Sequence, residues 1–220
     1  MILDIHTHRL PPYPEGVISL RTFDSPLAVG QLYSAGIHPW DTTDGPSDDA
    51  LARLEKLAEN SQIVMIGECG VDPAKGGPMF RQLQILKAQI DLSERLKKPL
   101  ILHCVKSADV IMGLKRDLNP SQPWIIHGFR GKPQQARQLT DKGIYLSFGE
   151  KFNSDTVMAM PEDMILAETD ESILSITEII GSLSQAANRD LTSQIAANTK
   201  RFLQPFSSRS STSSKPSDPS

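Results

Sequence analysis

Short runs of strongly apolar residues alternate with stretches of helical periodicity through most of the chain. Runs rich in Ile, Leu and Val begin near Ile63, Leu100, Trp124, Ile144 and Met164. Continuous apolar runs of this length are typical of strands buried on both faces of a parallel sheet. Apolar residues recur at helical spacing between the runs, and this predicts helices over 48–60, 80–98, 107–118, 132–143, 155–160, 175–187 and 192–203. Strands that alternate with helices indicate an α/β protein with right-handed crossovers.

The N-terminal quarter interrupts this alternation. After His8, the segment RLPPYPEGVISL reaches a second strand through three prolines and shows no helical pattern. The segment RTFDSPLAVGQ then leads to the strand-like YSAGIH with little room for a helix. We therefore predict a TIM-like (β/α)8 barrel whose first two helices are missing or reduced to turns. One flank of this barrel would be uncovered and available to a partner subunit of a homo-oligomer or to a wide substrate.

Composition sets the boundaries of the domain and excludes some classes of protein. The predicted barrel domain spans 1–206, and the Ser/Pro-rich segment 207–220 has no apolar residue to bury, which predicts a disordered tail. No apolar stretch approaches the roughly 20 residues that cross a bilayer. With only two cysteines, the 220-residue chain is not a disulfide-stapled scaffold, so we expect a cytoplasmic protein. A net charge of -3 argues against a broad basic groove but allows local contacts to phosphate.

Side chains of the metal-binding types stand where five of the predicted strands end. Active sites of strand–helix barrels form at the C-terminal ends of the strands, so these side chains should meet at one mouth. They are His6, His8, Glu68, His103, His127 and Asp170. A lone histidine at a strand end is more often a hydrogen-bonded core residue, and a lone glutamate more often forms a salt bridge. All six together predict a site for two divalent ions, with Zn, Mg or Mn as candidates.

The chemistry of such a site suggests roles for individual residues. Two ions would activate water to a bound hydroxide, with Asp170 as both ligand and proton acceptor and Glu68 as a shared ligand. His38 stands in GIHPW, on a loop that proline makes rigid, and either contacts substrate or caps the loop. Lys106 and Arg130 follow two of the ligand strands and are either phosphate contacts or solvated loop charges.

Several ordered motifs resemble one known family. The segments DIHTH, GIHPW, GECGVD, LHC, HGFRG and ETD occur in this order up to Asp170, and NTKRFL is similar to the family's closing helix. Together they resemble the TatD family of metal-dependent hydrolases. The resemblance implies a TIM barrel with two metal ions. One ion would be held by His6, His8, Glu68 and Asp170, and the other by Glu68, His103 and His127, so that Glu68 bridges them.

The same resemblance implies an activity, while the substrate walls differ from the family pattern. Members of the family are associated with metal-dependent DNase activity, including 3′-to-5′ exonuclease action, and some with D-aminoacyl-tRNA deacylation. Longer members carry the two helices that this chain lacks, and Lys106 and Arg130 stand where the family usually has arginine and a small residue. We expect a phosphodiesterase acting on DNA or another phosphoester. The alternatives are an ester or amide hydrolase such as a D-aminoacyl-tRNA deacylase, and a noncatalytic barrel scaffold.

Overall fold

The computed structural model describes residues 1–43 and 48–207, and its centre is a closed barrel of parallel strands. The strands are β1 Asp4–Thr7, β2 Gly16–Ser19, β3 Leu32–Ala35, β4 Ile63–Val71, β5 Leu100–Cys104, β6 Trp124–Ile126, β7 Ile144–Phe148 and β8 Ile165–Ala167. Each strand pairs in parallel with the next one along the chain, and β8 closes the barrel by pairing with β1 through Ala167 and Asp4. This confirms the predicted barrel.

Helices surround most of this barrel. They are α1 Asp48–Ala58, α2 Met79–Leu96, α3 Ala108–Leu118, α4 Pro133–Thr140, α5 Ser154–Ala159, α6 Ile176–Ala187 and α7 Thr192–Ser207. Local chemistry explains several of their ends. Ser175 and Glu178 form a reciprocal capping box at the start of α6. The left-handed residues Lys97 and Asn119 end α2 and α3.

The first two crossovers contain no helix, as the sequence predicts. Residues 8–15 connect β1 to β2 and residues 20–31 connect β2 to β3, both as loops. Side chains of these loops, Tyr13, Phe23 and Leu27, pack against the hydrophobic core in place of helices. Loop residues therefore cover part of this flank, and its use in a homo-oligomer stays a prediction.

Two apolar clusters stabilise the fold. The larger one lies between the strands and the helices and includes Trp124, Phe148 and Leu86. The smaller one joins residues of β1, β2, β4, β5, β6 and β8, among them Ile5 and Ile101. Strands on opposite sides of a closed barrel meet only inside it, so this cluster fills the interior. Phe202 and Leu203 of α7 belong to it and, with Ile2 and Leu32 beside them, close the N-terminal end of the barrel.

Two further predictions concern the ends and the surroundings of the domain. The predicted tail begins at Ser207, where α7 ends, and residues 208–220 lie outside the described residues. Among the described helices, none combines the length and the apolar character that a membrane crossing requires. The cytoplasmic location stays a prediction.

Candidate metal centre

The side chains that the sequence singles out as ligands lie together at the C-terminal mouth of the barrel. His6 and Glu68 belong to β1 and β4, and His103 belongs to β5. His8, His127 and Asp170 follow the ends of β1, β6 and β8. Because all eight strands are parallel, their C-terminal ends face one side, and the filled interior below forces these polar side chains to the mouth.

Glu68 lies at the centre of the cluster and faces two separate sets of ligand atoms. Its Oε2 is 3.4 Å from Nε2 of His6 and 3.6 Å from Nε2 of His8. Its Oε1 is 2.8 Å from Nδ1 of His103 and 2.7 Å from Nε2 of His127. Oδ1 of Asp170 is 3.7 Å from Nε2 of both His6 and His8, and so completes the first set.

These residues fit a metal ion in both spacing and chemistry. Two ligand atoms that share a tetrahedral ion at about 2.1 Å lie about 3.4 Å apart, close to the separations around Oε2 of Glu68. Candidate ligand atoms of His6, His8 and Glu68 all lie within 4.8 Å of one another. His6 is fully buried, and neither of its ring nitrogens has a hydrogen-bond partner among the described residues. A buried polar atom without a partner is costly, and an ion on Nε2 would remove that cost.

The second set of ligand atoms, on His103 and His127, keeps the carboxylate of Glu68 ionised. Burial raises the pKa of Glu68, but the charge of His127 and hydrogen bonds from His103, His127 and His38 outweigh it, so the pKa lies below its usual range. Burial lowers the pKa of His127, but the carboxylates of Glu68 and Glu168 outweigh it, so that pKa lies well above its usual range. A metal ion at His127 would therefore compete with a proton, because a histidine binds metal through a deprotonated ring nitrogen.

Two carboxylates that the sequence reasoning missed stand behind the histidines. Nδ1 of His127 is 3.5 Å from Oε1 of the fully buried Glu168, and Nε2 of His103 is 3.5 Å from Oδ2 of Asp72. A carboxylate behind a ring holds the proton on that side and leaves the other nitrogen free to bind an ion. Glu168 stands in ETD, two residues before Asp170, and Asp72 ends GECGVD. Their positions within these two motifs could have identified them from the sequence.

The backbone fixes Asp170 at the edge of the mouth. Its amide donates to the carbonyl of His6 at 3.0 Å, and its carbonyl accepts from the amide of His8 at 3.0 Å. Asp170 also has φ of 51°, in the left-handed region that residues other than glycine seldom adopt. Such strain persists where surrounding bonds enforce it, and it is common at functional sites. The two hydrogen bonds therefore set the carboxylate beside His6 and His8.

His38 joins the cluster from the loop after β3. The Trp40 amide donates to Nδ1 of His38 at 3.1 Å, so in the neutral ring Nε2 carries the proton. That Nε2 lies 3.1 Å from Oε1 of Glu68 and points into the site as a donor. The Trp40 indole donates to Asp72 at 2.8 Å, which connects this loop to the carboxylate behind His103.

The two cations predicted to contact phosphate, Lys106 and Arg130, occupy different places relative to the cavity at the mouth. The main cavity at the mouth has a volume of about 330 Å³ and is lined by His8, His38, Glu68 and Asp170, among others. Arg130 lines a neighbouring cavity, while Lys106 is exposed and lines neither of the two cavities in the described part of the chain. Arg21, which the sequence reasoning missed, lines the main cavity and pairs with Glu171 at 2.6 Å. No motif marked it, because it lies on a loop without helical or strand periodicity.

Comparison with known proteins decides the family. The family described as TatD related DNase matches residues 26–204 of the chain. The chain belongs to the TatD-related DNase family. Among the curated relatives, a metal-dependent hydrolase from Buchnera aphidicola subsp. Baizongia pistaciae, named as uncharacterised, is 32% identical over 165 residues, 71% of this chain and 62% of that protein. The 3′-5′ ssDNA/RNA exonuclease TatD of Cronobacter sakazakii is 30% identical over 157 residues, 64% of this chain and 57% of that protein. The chain thus spans less than two thirds of these two curated relatives.

Solved TatD structures share the fold. The crystal structure of YjjV, a TatD homologue from Escherichia coli K12, matches with a TM-score of 0.78 at 19% identity, over 91% of this chain and 96% of that one. A TatD family hydrolase from Entamoeba histolytica matches with a TM-score of 0.68 at 17% identity, over 78% of this chain and 74% of that one. The chain therefore belongs to a family whose curated members include proteins named metal-dependent hydrolases, and its clustered side chains include groups that could hold a metal ion.

Proposed function

We propose that the protein is a two-metal phosphodiesterase that removes nucleotides from DNA ends in the 3′-to-5′ direction. One observation carries the proposal: Glu68 directs its two oxygens to two separate sets of donors. His6, His8 and Asp170 would hold one ion with Glu68, and His103 and His127 would hold the other. Relatives from Cronobacter sakazakii and Cronobacter turicensis bear the name 3′-5′ ssDNA/RNA exonuclease, which supports a nucleic-acid substrate.

The ions would supply electrostatic chemistry, and the chain would supply position and proton transfer. Divalent ions at these ligands would lower the pKa of water and stabilise negative charge on a phosphate, with Zn, Mg or Mn as candidates. Asp170 would accept the proton of the attacking water. Its side chain is 32% exposed at the edge of the mouth, so water can reach it, whereas His6 is fully enclosed.

His38 and the cations would bind phosphate groups of the substrate. The Nε2–H of His38 would donate to a phosphate oxygen, since the Trp40 amide already occupies Nδ1. Arg130 lines the cavity beside Asp170, and Lys106 is exposed on the loop after β5. Both remain proposed phosphate contacts, and in each case a cation would offset negative charge on the substrate.

Cleavage of single-stranded DNA with a 3′ label, with Mg, Mn or Zn added, tests this function. We expect metal-dependent shortening from the 3′ end, and a loss of at least a hundredfold in the Glu68→Ala and Asp170→Ala variants. Glu59→Gln, which changes an exposed carboxylate on the loop before β4, is the matched control and should keep full activity. Circular dichroism checks that each variant folds.

Two results would oppose the proposal. Full activity in either alanine variant would exclude the mechanism that we assign to these carboxylates. No cleavage by a protein with measured metal content would exclude the nuclease function and direct attention to carboxylic ester and amide substrates, including aminoacyl-tRNA. That alternative would use the same metal ligands.

A further inference from the structure

A second cavity adjoins the metal centre between the loops that follow β6, β7 and β8. Its volume is about 240 Å³, and its lining includes Arg130 and Lys151. It shares Asp170 and Glu171 with the main cavity. A substrate whose reacting phosphate lies at the metal centre can therefore extend past Asp170 into this second space.

The cations of this cavity are available to a ligand. Arg130 and Lys151 are exposed, and neither makes a hydrogen bond or an ion pair with any residue that the structure describes. The nearby acidic groups have partners of their own. Glu171 pairs with Arg21 at 2.6 Å, and Glu168 lies against His127.

The remaining charges leave the cavity suited to an anion. Asp170 belongs to the proposed metal ligands, and Glu150 accepts a hydrogen bond from Ser172 at 2.7 Å. If the proposed metal is taken as the partner of Asp170, Glu150 is the one acidic lining group without a cationic partner among the described residues, against two unpaired cations. Arginine and lysine together bind phosphate through charge-assisted hydrogen bonds.

Glycines keep part of the wall open. A Cβ atom at Gly149 would come no closer than 3.6 Å to another residue, and one at Gly128 would meet only Glu168 at 3.5 Å. Backbone therefore forms the wall at these two positions, and no side chain of residues 128 and 149 narrows the cavity.

We propose that this second cavity binds the phosphodiester next to the scissile one, with Arg130 and Lys151 as its contacts. The inference rests on the proposed function, because it concerns the substrate of the same centre. A substrate with a single phosphodiester reaches only the metal centre, whereas a longer strand also fills the second cavity. These two residues would therefore give the enzyme its preference for oligonucleotides over minimal phosphodiesters.

Comparing two short substrates tests the cavity directly. The metal-loaded enzyme is assayed on d(TpTpT), which has two phosphodiesters, and on d(TpT), which has one. We expect kcat/KM to be about tenfold higher for d(TpTpT), since one good charge-assisted contact contributes a factor of this order. In the Arg130→Ala/Lys151→Ala double variant the ratio should fall to near one. Arg137→Ala/Lys142→Ala, which removes two charges from α4 and the loop before β7, should keep the wild-type ratio.

Binding provides a second readout that does not need turnover. The affinity of metal-free protein for fluorescent d(TpTpT) is measured against salt concentration. Loss of one phosphate contact should make the slope of log affinity against log salt shallower by about 0.7 in the Arg130/Lys151 double variant. The Arg137/Lys142 control should keep the wild-type slope.

The outcomes separate the cavity from the function. If both substrates are cleaved and the double variant keeps the wild-type ratio and slope, the second cavity does not bind phosphate, and the nuclease proposal stands. If a metal-loaded protein cleaves neither these two substrates nor the labelled single-stranded DNA, the proposed function is wrong and the assignment of this cavity is wrong with it. If it cleaves the longer DNA alone, two phosphodiesters are not sufficient, so the assignment of this cavity is wrong and the nuclease proposal stands.

Discussion

Two histidine rings at the mouth, those of His103 and His127, each lie between two carboxylates. This placement fixes which ring nitrogen faces the centre of the candidate metal site. His127 has Glu68 at 2.7 Å on one side and Glu168 at 3.5 Å on the other. His103 is placed in the same way between Glu68 and Asp72. The outer carboxylate holds the ring proton, so the inner nitrogen keeps its lone pair for an ion.

The Glu168→Gln variant tests this arrangement at His127. Its amide oxygen can still accept the hydrogen bond that the Gly128 amide gives to Glu168, at 2.6 Å in the wild type, so the fold should persist. The charge behind His127 is lost, and we expect metal affinity to fall by roughly 10- to 100-fold. Titration of metal against a chelator of known affinity measures the change.

Glu150→Gln is the matched control for that experiment. Glu150 is an exposed carboxylate on the loop after β7, and its partner is Ser172. This variant should bind metal as the wild type does. Unchanged affinity in a folded Glu168→Gln protein would show that Glu168 does not orient His127.

At the scale of elements, single side chains connect helices to the loops that carry the site strands. Glu94 of α2 accepts hydrogen bonds from the amides of Ser121 and Gln122 and from the Ser121 hydroxyl, at 2.6–3.0 Å. Ser121 and Gln122 lie on the loop that leads from α3 to β6, the strand before His127. Glu94 therefore holds the start of β6 against α2.

The Glu94→Gln variant should change how stability depends on pH. Burial raises the pKa of Glu94, but the bonds from Ser121 and Gln122 outweigh it, so the folded-state pKa lies below the ordinary value of 4.5. The charged form thus stabilises the fold above pH 4.5, and this stabilisation is lost as the pH falls through the folded-state pKa. We expect the variant to be less stable by about 1 kcal/mol at neutral pH, with a smaller difference in acid.

Urea unfolding at neutral pH and at a pH below 4.5 measures this difference. Glu59→Gln, which changes an exposed glutamate with no hydrogen bond or ion pair to a described residue, should follow the wild type at both pH values. A stability difference for Glu94→Gln that grows in acid would contradict the sign that we give.

At the scale of the whole molecule, the two ends of the barrel differ in character. Phe202 and Leu203 close the N-terminal end with apolar side chains, and the ring of Phe202 contacts Tyr145 edge-on at 4.7 Å between centroids. The C-terminal end collects six side chains that lie on or just after five of the eight strands. Metal bound there would connect distant strands, so binding should stabilise the entire barrel.

Thermal unfolding with and without metal measures this coupling. Metal at about 1,000 times its Kd should raise the free energy of unfolding by about 4 kcal/mol. For a domain of this size, 4 kcal/mol corresponds to a rise in Tm of about 8–16 °C. A chelator should reverse the rise, and Glu68→Ala should largely abolish it because both sets of ligands contain Glu68. A wild-type Tm that does not respond to metal would contradict binding at the mouth.

The local pattern of apolar and polar residues was sufficient to predict the fold and the end of the barrel that carries the candidate site. The runs near Ile63, Leu100 and Trp124 are short and continuously apolar, as is typical of strands in a sheet buried on both faces, and the segments between them are helical in period. The first two helices are predicted to be missing or reduced to turns because the first segment has three prolines and no helical pattern, and the second has little room for a helix. The predicted helix over 80–98 corresponds to α2, Met79–Leu96, and ends where Lys97 turns left-handed.

Only the closed barrel decided how the side chains face one another. Sequence order says nothing about which oxygen of Glu68 faces His6 and which faces His103, since these distances depend on the tilt and register of separate strands. The same holds for Glu168 behind His127, for Arg21 beside Glu171, and for the cavity that joins Arg130 to Lys151. The spacing of apolar residues shows which face of a single helix or strand is buried. Contacts between side chains of distant strands form only when the barrel closes.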